Sequence, residues 1–213
     1  MAGPYADTRE YLVVHQSLRV TLDRFVNATD RLEPTQLAEV IGDRWALFAR
    51  GLHHHHEEED DAFFPAIAAA APDVKPLIEQ LVHEHEELVA RLDAVDRAVV
   101  SLTAEPTEQN KRVLHDAIAE VRDQLVPHLD IEDAKLLPAA AQSVDGKEWA
   151  RLSKEAMQSL PKSDLPIVAG ILDEVVRGLP RAQWPPPPPI PVRVMIAVSW
   201  RKRYQKFVEP LMV

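Results

Sequence analysis

Four stretches of this chain repeat apolar residues at alternating spacings of three and four, and histidine or glutamate breaks every one of the repeats. That spacing belongs to helices that face a shared core. The first seam reads Tyr11, His15, Leu18, Leu22, Phe25, and the second Ile41, Trp45, Phe48, Leu52, His55, Glu59, Ala62. The third reads Ile78, Leu81, His85, Leu88, Leu92, Val95, and the fourth Leu114, Ile118, Val121, Leu125, His128, Glu132. A carboxylate in an apolar core is costly unless something compensates its charge. Six polar intrusions that can converge at one level therefore point to a bound cation, with a metal-free buried polar network as the competing reading.

Punctuation by proline, Asp and Thr divides the chain into helical segments. Long helices are expected over 7–27, from Thr35 to the region of Pro65, over 73–102, and from Thr107 to 142. The fold class is all-α: an up-down-up-down four-helix bundle with additional C-terminal helices. The bundle should occupy 1–142, and an extra helical segment 143–184 should hold helices near 145–159 and 163–178. A stiff polyproline linker at 185–191 then leads into a basic amphipathic helix at 192–213.

Composition narrows the function. The absence of cysteine excludes disulfides, thiolate metal sites and cysteine nucleophiles. The first residues lack the basic start and apolar run of a signal peptide, and no apolar stretch reaches the roughly 18 residues a membrane span needs. A cytoplasmic protein is expected. Residues 192–213 hold five basic groups and one acid, leaving 19 basic and 33 acidic residues and a net charge of −14 on the rest. Such a body is a poor partner for nucleic acid, because phosphate binding needs a basic face.

Spacing sharpens the cation reading. His55 and Glu59 lie four apart, as do His128 and Glu132, so each pair shares a helix face. The flanking sequences, HHEEEDDAFFP from His55 and HLDIEDAKLLP from His128, form an internal repeat. It suggests two related half-sites. Imidazole with carboxylate and no sulfur suits iron, manganese or zinc. Two carboxylates able to bridge favour a dinuclear site, and four histidines favour iron.

These residues resemble the hemerythrin family, also called HHE cation-binding domains, over roughly 1–142. The likeness is carried by VVHQSLR around His15, by HxxxE ending in FFP, by EHEEL around His85, and by HxxxE ending in LLP. It implies a non-haem pair of iron ions joined by an oxo or hydroxo bridge. Glu59 and Glu132 would be the bridging carboxylates, and His15, His55, His85 and His128 the terminal ligands. One departure matters. The oxygen-carrying members bear a second histidine four residues away in the third helix, whereas this chain has Leu81 and Val89 on either side of His85. Four imidazoles then leave two positions open, against one for a five-histidine site.

Tyr11, His56 and Glu58 are candidates for the unfilled position. Tyr11 can equally be a core aromatic with a satisfied hydroxyl. His53 and His54 are expected to be solvated or to support the ligands, and His83 to lie at the surface. The acidic run Glu57, Glu58, Asp60 and Asp61 reads as a solvated face or as an entry patch for iron. Pro127 should kink the fourth helix beside His128.

The resemblance implies chemistry on a small diatomic or peroxide ligand. The leading expectation is reaction with O2, H2O2 or NO, in detoxification or redox sensing, with Tyr11 as a possible proton or hydrogen donor. Reversible O2 binding without turnover and iron storage or donation are the alternatives. For the apolar stripe Val192, Ile196, Trp200, Tyr204, Phe207 and its basic neighbours, docking back onto the acidic bundle is expected. A membrane surface or a protein partner is the rival.

Overall fold

Each of the four seams becomes one wall of a helical bundle. The computed structural model describes residues 4–212. Helix α1 spans Arg9–Arg31 and α2 spans Pro34–Glu58, where Glu33 and Gln36 form a capping box that satisfies exposed N–H groups at the start. The rod of α2 continues through one π turn, Glu59–Phe63, into α3, Phe64–Ala70. A 3-10 turn at Pro72–Val74 leads into α4, Lys75–Ala104. Helix α5, Glu108–Ile131, starts on Thr107, whose hydroxyl accepts from Asn110 N–H at 3.2 Å. It runs through Pro127 and a second π turn, Glu132–Leu136, into α6, Leu137–Ser143.

In the bundle, α1 packs against α2 and α5, while α4 packs against α2 and α5. The first helix continues to Arg31 rather than stopping near 27, since Ala28 and Thr29 do not break a helix and are buried. The core has two apolar parts. One contains Leu22, Phe25, Trp45, Leu88, Ile118 and Leu125; the other contains Tyr11, Phe63, Ile67, Leu81, Leu136 and Trp149. Along all four seams the histidines and glutamates fall between these two parts.

Beyond the bundle lie α7, Gly146–Ser159, and α8, Leu165–Gly178. The extended residues 184–189 precede α9, Ile190–Met195, with Pro191 in its first turn, where a missing N–H costs nothing. The tail helix thus begins two residues earlier than its sequence suggests. A π turn at Ile196–Trp200 joins α9 to α10, Arg201–Val208.

The tail docks on the bundle. Tyr204 and Val208 pack with Leu47 and Ile167, and Leu211 joins the larger core. Arg24 of α1 donates to the Tyr204 hydroxyl at 2.9 Å and pairs with Glu174, to which Tyr204 also donates. Arg44 of α2 donates to the Phe207 carbonyl at 2.6 Å and lies over the Phe207 ring. Gly170 permits this approach, because a Cβ there would overlap the Tyr204 ring. No helix among the described residues is long and apolar enough to cross a membrane.

Candidate metal centre

The layer between the two apolar parts gathers seven donor side chains. His15, Glu59 and Glu132 are completely shielded from solvent, and His56, His85 and His128 are buried as well. Two groups form, each with its ligand atoms within 4.8 Å of one another: His15, His55, Glu59 and Glu132, and His56, Glu59, His85 and His128. Glu59 belongs to both. Its Oε1 lies 3.2 Å from His55 Nε2, and its Oε2 lies 3.5 Å from His85 Nε2. Glu132 spans the same gap, with Oε2 3.4 Å from His15 Nε2 and Oε1 3.5 Å from His128 Nε2.

The donor atoms face each other rather than partners of their own. His15 Nε2, His55 Nε2, His56 Nε2, Glu59 Oε2 and both Glu132 carboxylate oxygens are buried without a hydrogen bond. Buried polar atoms are almost always paired, so this concentration of unpaired lone pairs fits a group that could hold a cation. The electrostatics agree. Burial pushes the Glu132 carboxyl well above the usual range, and the neighbouring Glu59 pushes it further. Burial also raises Glu59, but the surrounding imidazoles, His55 foremost, outweigh it and hold Glu59 low. Burial lowers His55 to about 4 and drives His56 well below its ordinary value, so both are neutral and available as ligands near pH 7.

Three carboxylates orient the rings from behind. His15 Nδ1 lies 2.6 Å from Asp133 Oδ1, His85 Nδ1 lies 3.0 Å from Asp60 Oδ1, and His128 Nδ1 lies 2.9 Å from Glu84 Oε2. Each contact turns Nε2 towards the centre, as metal-binding histidines require. In the sequence Asp60 belongs to a run read as a solvated face or entry patch, and Glu84 and Asp133 carry no role. For the two aspartates the repeat held the signal, since an aspartate follows the glutamate in both halves.

The two π turns are the other feature beyond the reach of seam counting. Phe64 N–H bonds to the Glu59 carbonyl and Leu137 N–H to the Glu132 carbonyl, five residues back in each case. The wider turn shifts the helical register by one residue. Phe63 therefore reaches the core where Ala62 was expected, and Ala62 stays half-buried.

The remaining candidates separate cleanly. Tyr11 is buried and its hydroxyl donates to Glu59 Oε1 at 2.7 Å. Burial, with the charges of Glu59 and Glu132, raises its phenol well above the usual value. His56 stacks on His85 at 3.9 Å between ring centroids. Glu58 turns away from the cluster and accepts from Ser159 Oγ at 3.0 Å. His53 is exposed beside Glu57, and His83 is exposed beside Glu86 and Glu87. His54 Nε2 meets the Ala156 carbonyl at 3.1 Å, and His115 sits beside Asp30 and Asp116.

The hemerythrin HHE cation-binding domain model matches residues 8–140. No curated protein and no solved structure matches the chain.

Proposed function

Since the chain belongs to the hemerythrin HHE cation-binding family, we propose that it holds two non-haem iron ions and uses them on one small oxidant: O2, H2O2 or NO. The observation that carries this reading is the pair of donor groups sharing Glu59. His15 and His55 would hold one ion, and His56, His85 and His128 the other. Glu59 and Glu132, whose oxygens face histidines of both groups, would help hold both ions. Iron would supply a Lewis acid and an electron store.

The chain's own residues do the rest. Asp133, Asp60 and Glu84 fix three imidazoles in the orientation that presents Nε2. The apolar layers on both sides of the centre exclude bulk water. Tyr11 holds a proton at its hydroxyl oxygen 2.7 Å from Glu59 Oε1, beside the cluster, where peroxide chemistry needs a donor. Burial and the charges of Glu59 and Glu132 keep that proton on the phenol, so Tyr11 would serve as a hydrogen-bond donor beside the cluster.

The same donor set supports a second reading, reversible O2 binding, because with His56 the imidazoles number five, as in the oxygen-carrying members of the family. Metal analysis on purified protein tests the common premise and should find about two irons per chain. Sustained consumption of added peroxide supports turnover; a spectral change that reverses on cycling O2, without consumption, supports carriage. One zinc per chain, or no metal, would overturn both.

A further inference from the structure

The tail and α7–α8 do not close flush against the bundle. They leave a cavity of about 200 Å³ between α1 and α2 on one side and α7, α8 and α10 on the other. Its walls are mostly apolar, with Leu18, Leu47, Phe48, Met157, Val168 and Ile171 among them. Its inner end is formed by Tyr11, His55 and Phe63, so it abuts the side of the candidate metal centre that carries His15 and His55. Much of the outer wall comes from beyond residue 140, the limit of the family match.

We propose that this cavity binds a neutral, apolar organic molecule with the bulk of a substituted aromatic ring. Size argues for it: an apolar cavity of roughly 150 Å³ stays dry and takes up benzene. The two arginines, the Tyr11 phenol and two hydroxyls at the wall argue for a neutral ligand, because they are already engaged. Arg24 is held by Tyr204 and Glu174, Arg44 by the Phe207 and Val40 carbonyls, and Tyr11 by Glu59. The Ser17 and Thr21 hydroxyls bond back to the carbonyls of Val14 and Ser17. No free cation remains to hold a carboxylate, and the acids Glu10 and Glu58 at the wall disfavour an anion.

Gly51 offers a way to fill the space. It lies in the middle of α2 and lines the cavity, and a Cβ placed on it meets nothing within 4 Å. A glycine inside a helix is unfavourable relative to alanine, so replacing it should keep the helix while filling the void.

Toluene, benzoate and benzylamine titrated into the full chain, followed by calorimetry and melting temperature, test the proposal. Toluene should bind saturably and raise the melting temperature, with both charged probes at least tenfold weaker. Gly51→Leu should fold with unchanged or higher stability and bind toluene at least tenfold more weakly. Val168→Phe fills the cavity from the opposite wall and should do the same, while Gly42→Leu, elsewhere on α2, should bind like the parent. Absence of saturable toluene binding would overturn the proposal. So would toluene binding by both filled variants as tight as the parent's, or tighter binding of a charged probe.

Discussion

His15 Nδ1 and Asp133 Oδ1 lie 2.6 Å apart, tying α1 to the π turn that follows α5. Asp133 is itself held by Arg19 at 2.8 Å, so the imidazole is anchored through two side chains to a fixed charge. Asp133→Asn keeps the shape but removes the charge that sets the ring's tautomer. Metal affinity should fall about 10- to 100-fold, as is usual when such a supporting carboxylate is lost. Competition with a coloured chelator measures it, and an unchanged affinity would refute the role given to Asp133.

His56 belongs to one donor group and His55 to the other. His56→Ala should therefore empty or weaken one ion position and leave the other, taking the metal content towards one per chain. His53→Ala, on an exposed histidine, should leave the content unchanged. If the two variants carry equal metal, His56 is a core residue and not a ligand.

Removing the metal should loosen the bundle. The two buried carboxylates then lose their compensating charge, which burial and mutual repulsion make expensive for Glu132. With free metal at about a hundred times its Kd, the loaded protein should melt about 5–10 °C above the metal-free form. Glu132→Gln relieves the repulsion, so the metal-free variant should melt above the metal-free parent. Equal melting of loaded and metal-free parent protein would argue against ligands in the core.

Tyr204 gives the tail a response to alkali. Burial and its bond to Glu174 raise the phenol to about 12. A phenol raised in the folded state contributes stability that is complete below its ordinary value near 10 and is lost as pH rises towards 12. Tail docking should weaken across that window, seen as faster proteolysis of residues 190–212. Tyr204→Phe should remove this pH dependence while keeping most of the apolar contact.

Gly170→Val places a side chain where the Tyr204 ring lies. Overpacking of this kind costs about 1–3 kcal/mol. The variant should release the tail to protease at neutral pH while the helical signal of the bundle persists. A tail as protected as in the parent would contradict the docking described above.

The helices were legible in the sequence because an apolar seam is a local property. Residues three and four apart share a face whatever the partner helix is, so Leu18, Leu52, Leu88 and Leu125 announce their own burial. The repeated His-x-x-x-Glu spacing works in the same way, since each pair meets within one helix. His15, His55, Glu59, His85, His128 and Glu132 were therefore identifiable as one level of a bundle before any contact between helices was known. The docking of the tail followed from its stripe rather than its charge, since among its basic groups Arg201 pairs with Asp173 of α8 and the bundle contacts come from Arg24 and Arg44. The earlier start at Ile190 depended on how Pro191 fits a first turn.

Tertiary structure decided what depends on register and on neighbours from other helices. His55 and His56 are adjacent in sequence, about 100° apart on the α2 face. Both reach the centre because it lies in the wedge between them, so the seam singles out one where the fold brings in two. The π turns moved Phe63 inward in place of Ala62, a one-residue shift that no local pattern encodes. Asp60, Glu84 and Asp133 gained their meaning from rings on other helices, at separations of 25, 44 and 118 residues. The sequence by itself determined which donor types stand at one level of the bundle. Only the packing of four rods decided how those donors divide into two groups, because that division rests on distances between chain segments far apart in sequence.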